Sequence, residues 1–92
     1  MQIADAVLQF ITYLATGRGC AQSTTTSYAS DLKALSTFLV AEEHPLDVGS
    51  ITPGVMRHYV SRLCASGYKQ ATIARRVYAV SSLFRYLMIG DN

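Results

Sequence analysis

The chain has 92 residues, half of them hydrophobic, and a formal net charge of +2. This length supports one hydrophobic core and therefore a single domain, residues 1–92. No apolar run approaches the roughly 20 residues that a membrane span needs. The N-terminal stretch carries Asp5 and no basic segment, so it lacks the pattern of a secretory signal. We therefore expect a soluble chain with no membrane partner.

The charges are distributed unevenly along the chain. Residues 1–47 hold two basic and five acidic residues, whereas residues 48–90 hold six basic residues and no acidic one. Unopposed cations create a surface potential that attracts phosphate groups. This segregation favours a polyanionic partner, with chance as the alternative explanation.

The cysteines Cys20 and Cys64 lie far apart and have no metal-binding spacing. Together with His44 and His58 they do not form a zinc pattern. We expect buried or partly buried free thiols, no metal and no cofactor. Free thiols fit a reducing, cytoplasmic location.

In chain order, the hydrophobic periodicity predicts helices and gives little sign of strands. A first helix is predicted over residues 3–16, with Gly17 placed to end it. A second helix is predicted over residues 22–42. It stops before His44-Pro45, because the residue before a proline avoids the α conformation. Its buried side chains are expected to be Tyr28, Leu32, Leu35, Phe38 and Leu39.

The third helix has a clear start, because Thr52 supplies a hydroxyl cap and Pro53 suits the first helical position. It is predicted to run to about Ala65, with Gly67 as its C-terminal cap. We expect it to bury Val55, Tyr59, Val60 and Leu63.

The fourth helix is predicted from about Gln70 to Met88, with Gly90 closing it. Its expected core stripe comprises Ile73, Val77, Val80, Phe84 and Leu87. Four helices joined by short connections predict an all-α fold, a compact four-helix bundle.

A polar and basic surface is predicted on the fourth helix, opposite its core stripe. No acidic residue lies near its arginines in sequence, and a helix with small side chains fits the major groove of DNA. An ordinary solvated surface is the alternative. The surface and its flanks comprise Lys69, Gln70, Thr72, Arg75, Arg76, Ala79 and Ser82.

A run of hydroxyl side chains, residues 23–27, opens the second helix. Threonine is a poor residue for a helix interior, so three in succession need a reason. The hydroxyls can cap the free amides of the first turn, which the sequence alone favours. They can also bind a phosphate at the helix N-terminus.

Catalytic motifs are not found in this sequence, which has no nucleophile elbow, paired carboxylates or glycine-rich phosphate loop. The helical tyrosines are explained by packing. We therefore assign no catalytic residue and predict that this chain is not by itself an enzyme.

Three segments in order resemble one known family. The first, similar to G-x-S-x-x-T-x-x-x-Y-x-x-D-L, contains Gly19, Thr24, Tyr28 and Asp31-Leu32. The second, similar to I-T-x-x-x-x-x-Y-x-x-x-L, contains Ile51-Thr52, Tyr59 and Leu63. The third, TIARRVYAVSSLFRYL over residues 72–87, is similar to T-I-A-R-R-L-S-A-L-R-S-F-Y-R-Y-L. The sequence thus resembles the SAM-like core-binding domain of phage integrases and Xer-type tyrosine recombinases.

This resemblance implies a SAM-like helical domain that grips one face of a DNA recombination site, with its second and fourth helices in or beside the major groove. It also implies a separate catalytic domain, so we interpret the chain as an excised domain of a recombinase that assembles as a homo- or hetero-tetramer on DNA. The implied DNA-binding residues, with the two polar residues that precede the fourth helix, are Thr24, Thr26, Ser27, Lys69, Gln70, Thr72, Arg75 and Arg76.

Two positions depart from the family pattern. Ala21 stands where a serine usually caps the second helix, so Gln22 or Ser23 is expected to take over. Ser81 replaces a frequent arginine, which predicts weaker DNA binding. The alternative function is a helical protein-interaction module, which would present an exposed apolar patch.

Overall fold

Four α-helices are present in the computed structural model, which describes residues 1–89. They are α1 (Ile3–Thr12), α2 (Gln22–Ala41), α3 (Pro53–Ala65) and α4 (Gln70–Ile89). The prediction of an all-α four-helix bundle is confirmed. The predicted cap Gly90 lies outside the described residues. No helix within residues 1–89 is long and apolar enough to cross a membrane.

The end of the first helix differs from the prediction in its winding. Residues Tyr13–Gly17 form a π-helical turn, in which the Arg18 amide donates to the carbonyl of Tyr13 at 3.0 Å. A Cβ atom on Gly17 would lie 3.0 Å from the Tyr13 ring, so the glycine allows the ring to lie against the backbone. The predicted stop at this glycine is confirmed.

The predicted caps of α3 are confirmed at both ends. Thr52 Oγ1 accepts a hydrogen bond from the Val55 amide at 3.3 Å, and Pro53 is the first helical residue. Gly67 has a φ of +83°, a left-handed conformation that side chains with a Cβ rarely adopt. These local interactions fix the limits of α3.

The core lies where all four helices meet. Leu32, Leu35 and Leu39 of α2 are fully buried, as predicted. In α1 the buried residues are Ile3, Ala6 and Phe10. In α3 the buried residues are Tyr59 and Leu63, whereas Val55 and Val60 are half-buried.

The predicted orientation of α4 is wrong in one important respect. Ala79, expected to face outward, is only 1% exposed, and its neighbours Val80 and Leu83 are also buried. Of the predicted stripe, Ile73, Phe84 and Leu87 are only half-buried. The physical reason is that α4 packs against α1, α2 and α3 together, so it buries more than one of its faces.

The connection between α2 and α3 is held by contacts from distant parts of the chain. The Ile3 amide donates to the Leu46 carbonyl at 2.7 Å, which ties the start of α1 to this connection. His44 Nε2 lies 3.0 Å from His58 Nδ1, and His58 Nε2 lies 3.0 Å from Glu42 Oε1. This chain of polar contacts joins the end of α2 to α3.

Candidate nucleic-acid interface

A shallow groove of about 310 Å³ separates the first half of α2 from the first half of α4. Its floor is Ala79, whose methyl group lets the two helices approach closely. We name it the α2–α4 groove. It is lined by Ser23, Thr24, Ser27, Tyr28, Asp31, Arg75, Tyr78 and Ala79.

Hydroxyl groups form the α2 wall of this groove. Ser23, Thr24 and Ser27 are exposed, and the first two lie four and three residues before Ser27, so that all three line the groove. The first turn of α2 has no acidic residue, and the helix dipole there favours an anion. This wall therefore offers hydrogen-bond donors in a region that attracts negative charge.

The expected capping role of the hydroxyl run is not found in the structure. The N-cap residue is Ala21, which has no polar side chain, so neither Gln22 nor Ser23 replaces the missing serine. Thr25 is buried, and its Oγ1 donates to the Gln22 carbonyl at 2.9 Å rather than accepting from an amide. Local capping therefore does not explain the exposed hydroxyls.

Arg75 stands on the α4 wall and is paired with an acid, contrary to the sequence expectation. Its Nε lies 3.1 Å from Asp31 Oδ2, and its Nη2 lies 3.1 Å from Asp31 Oδ1. The Asp31 side chain is 4% exposed, whereas that of Arg75 is 60% exposed. The buried carboxylate thus holds one edge of the guanidinium, and the remainder faces the solvent.

The sequence did not predict this ion pair, because the pair depends on the tertiary structure. Asp31 and Arg75 are 44 residues apart in sequence, and they meet only because α2 packs on α4. A carboxylate in the buried stripe of α2 needs a partner, since an unpaired buried charge is costly. The ion pair neutralises the charge of Arg75, but it also fixes the orientation of the Arg75 guanidinium, which donates two parallel hydrogen bonds.

Arg76 points away from the α2–α4 groove. Its Cζ lies 4.3 Å from the centroid of the Tyr68 ring, a cation–π contact, and its side chain lines a separate pocket with Tyr59 and Glu42. Adjacent residues of a helix differ by about 100° around its axis, so the two arginines cannot share one surface. The predicted arginine pair is therefore divided between two sites.

Tyr59 Oη and Arg76 Nε are both buried, and neither forms a hydrogen bond within residues 1–89. Burial raises the pKa of the Tyr59 hydroxyl, and the nearby charge of Arg76 only partly offsets this effect. The hydroxyl therefore stays protonated at neutral pH.

Tyr59→Phe is expected to change the free energy of unfolding by no more than about 1 kcal/mol, because no hydrogen bond of the hydroxyl is lost. Thermal melting followed by circular dichroism measures this change. Tyr59→Ala serves as the positive control, since it also removes the ring packed on Phe38 and should cost about 3–5 kcal/mol. A loss above about 2 kcal/mol for the phenylalanine variant would show that the hydroxyl is bonded.

The other predicted site residues surround the groove without lining it. Lys69 and Gln70 are exposed at the start of α4, and Thr72 is half-buried one turn later. Thr26 is exposed, but it lies about 200° around the helix axis from Thr24. Of the eight predicted residues, the groove is lined by Thr24, Ser27 and Arg75.

Five lining residues were not predicted as DNA-binding residues: Ser23, Tyr28, Asp31, Tyr78 and Ala79. Asp31 had a detectable signal, since it is an acid within the buried stripe that contains Leu32 and Leu35. Tyr78 lies three residues after Arg75, on the same side of α4. Ser23 had no signal beyond its place in the hydroxyl run.

The cysteines contribute nothing to this surface. Both thiols are free; Cys20 is half-buried, and Cys64 is exposed rather than buried as expected. Among residues 1–89, no three His, Cys, Asp or Glu side chains are close enough together to hold a metal ion.

The fold and the groove define a helical domain with one polar, arginine-containing cleft between its second and fourth helices. A family profile described as "Phage integrase, N-terminal SAM-like domain" matches residues 7–89. The chain belongs to this family, and its fold is the SAM-like all-α fold of integrase N-terminal domains.

Several curated relatives are tyrosine recombinases. Tyrosine recombinase XerC of Mycobacterium sp. (strain JLS) is 37% identical over 73 residues, covering 79% of this chain and 24% of that protein. Tyrosine recombinase XerD of Vibrio vulnificus (strain YJ016) is 36% identical over 87 residues, covering 95% of this chain and 28% of that protein. The chain thus spans about a quarter of the length of these relatives. No solved structure matches it at a significant level.

Proposed function

We propose that this chain is the DNA-binding domain of a site-specific tyrosine recombinase or integrase. In this proposal it grips duplex DNA through α2 and α4, in or beside the major groove. The observation that carries the proposal is the α2–α4 groove, where exposed hydroxyls face a guanidinium held by a buried carboxylate. Family membership and the similarity to XerC and XerD support it.

The residues contribute in different ways in this proposal. Thr24 and Ser27 donate to phosphate oxygens, and the free edge of Arg75 binds a phosphate or a guanine edge. Lys69 and Gln70, at the start of α4, contact further phosphates along the DNA backbone. Thr26, Thr72 and Arg76 act from outside the groove, as part of the surrounding surface.

The parent protein is proposed to exchange DNA strands with a catalytic domain outside these 92 residues, in the cytoplasm and as a tetramer on DNA. The domain alone is proposed to be monomeric or weakly associating. Because it would provide only part of the grip on DNA, its dissociation constant is expected to be about micromolar or weaker.

DNA binding is tested by fluorescence anisotropy with a labelled duplex of about two helical turns (~20 base pairs). Four phosphate contacts would weaken binding about a hundredfold between roughly 50 and 200 mM salt. Binding that is absent, or that does not depend on salt, would contradict the proposal.

Thr24→Ala with Ser27→Ala tests the hydroxyl wall without altering charge. We expect about a fivefold to hundredfold loss of affinity, because two hydrogen bonds are lost and each is worth roughly 0.5–1.5 kcal/mol. Thr37→Ala is the matched control, since Thr37 is an exposed α2 threonine outside the groove, bonded to the Lys33 carbonyl at 3.0 Å. An equal loss in both variants would exclude a specific role for the wall.

A second candidate is a protein-interaction module, favoured by exposed apolar side chains in the middle of α1 and at the end of α4. Leu8 is 67% exposed, Met88 79% and Ile89 62%. Light scattering distinguishes the two functions. A stable oligomer without DNA, together with no response to DNA, would favour this candidate.

A further inference from the structure

A second cationic pocket adjoins the α2–α4 groove, at the opposite end from the start of α4. It has a volume of about 210 Å³ and lies where α1 ends, between α2 and the second half of α4. We name it the Arg18–Arg85 pocket. It is lined by Phe10, Tyr13, Leu14, Arg18, Tyr28, Tyr78, Ser82, Arg85, Tyr86 and Ile89.

The two arginines of this pocket are available for an external anion. Both side chains belong to exposed residues, neither forms an ion pair within residues 1–89, and no carboxylate is among the described residues that line the pocket. By contrast, Arg75 bonds Asp31 and Arg62 lies 3.5 Å from Glu42. The pocket therefore combines two guanidinium groups that no carboxylate among residues 1–89 compensates.

Packed aromatic rings give the pocket rigid walls. The Tyr13 and Tyr86 rings lie 4.9 Å apart between centroids, and the Phe10 ring contacts both Tyr86 and Tyr28 at 5.5 Å. Such walls reduce the conformational entropy that binding would otherwise remove. The arginines thus stand on a preorganised surface.

The pocket is continuous with the α2–α4 groove, because Tyr28 and Tyr78 line both. On α4, Arg75, Tyr78, Ser82 and Arg85 follow one another at helical spacing along one side. Ten residues separate the two arginines, which corresponds to about 15 Å along the helix axis. This distance is comparable with the width of the DNA major groove, about 12 Å.

We propose that the Arg18–Arg85 pocket binds backbone phosphate of the same duplex, on the opposite side of the major groove from the phosphate near Lys69 and Arg75. Helix α4 then spans the groove, with a cationic contact at each end. This inference rests on the proposed DNA-binding function. It adds a subsite toward the end of α4, where the polar surface predicted from sequence reaches only Ser82 and includes neither Arg18 nor Arg85.

The test is Arg18→Gln with Arg85→Gln, measured by anisotropy over a series of salt concentrations. Each lost phosphate contact makes the slope of log affinity against log salt shallower by about 0.9, so we expect a change of about 1 to 2. Lys33→Gln with Arg57→Gln is the charge-matched control. Both of these residues are exposed outside the groove and the pocket, and Arg57 lies about 200° around α3 from the buried Tyr59. The control should change the slope by less than about 0.5.

Phosphate ethylation interference gives an independent readout of position. Ethylation of phosphates on both sides of one major groove should interfere with binding of the wild-type domain. For the Arg18→Gln, Arg85→Gln variant, ethylation should interfere on one side only. The subsite would be refuted if this variant and its control had equal salt slopes, or if ethylation interfered on both sides of the groove for the variant as well. Either result would leave the proposed function intact. Loss of binding by the wild-type domain itself would instead refute the proposed function.

A different outcome is that the Arg18–Arg85 pocket binds a free anion and not the DNA backbone. In that case, inorganic phosphate would shift the NMR signals of Arg18 and Arg85 without DNA, and their substitution would leave the DNA salt slope unchanged. That combination would also overturn the inference.

Discussion

Arg75→Ala is expected to lower the free energy of unfolding by about 2–3 kcal/mol, although its side chain is 60% exposed. The reason is its partner, since Asp31 would remain as a buried carboxylate without an ion pair. Removing one member of a fully buried pair costs roughly 3–5 kcal/mol. We expect less here, because water can enter the open groove and solvate the carboxylate.

Thermal melting measures this effect directly. For a domain of this size, 2–3 kcal/mol corresponds to a fall in Tm of roughly 10–20 °C. Asp31→Ala with Arg75→Ala is the control, since it removes both charges and should cost only about 1 kcal/mol. A melting temperature for Arg75→Ala within a few degrees of the wild type would contradict the structural role of the pair.

The same pair of variants separates stability from DNA binding. The single variant is expected to lose affinity partly because fewer molecules are folded, whereas the double variant remains folded and lacks both the groove cation and its carboxylate partner. If the double variant binds DNA as tightly as the wild type with the same salt slope, Arg75 makes no phosphate contact. A slope shallower by about 0.9 would identify one such contact.

Ala79→Leu is expected to destabilise the domain by about 2–3 kcal/mol. The residue is 1% exposed and forms the floor of the groove, so a larger side chain must push α2 and α4 apart. The same shift would displace Arg75 from the hydroxyl wall. We therefore expect weaker DNA binding even at temperatures where the variant is fully folded.

The matched control is Ala74→Leu, five residues earlier on the same helix at an exposed position. An exposed alanine-to-leucine change in a helix should alter stability by no more than about 0.5 kcal/mol. Denaturant midpoints for the two variants give the comparison. If the two variants had equally small effects on stability, Ala79 would face outward, as the helical wheel predicts, and would not be buried between α2 and α4.

The limits of the helices could be predicted because local interactions set them. Gly17 ends the first helical segment, and Thr52 with Pro53 starts α3 at the predicted residue. The central leucines of α2 could also be predicted, since one amphipathic face packed on a single core repeats with the period of the helix. Arg75 was identified as a site residue from its place on one face of the fourth helix, whereas Thr24, Thr26 and Ser27 were identified through the family resemblance.

The sequence by itself determined the helical class, the ends of the helices and the residues able to bind an anion. The tertiary structure alone decided which of those residues act together. A helical wheel assumes one buried face, but α4 packs against three helices, so Ala79 is buried and Arg76 turns toward Tyr68. The pairing of Asp31 with Arg75 joins positions 44 residues apart, and such a contact depends on how the helices pack rather than on local periodicity.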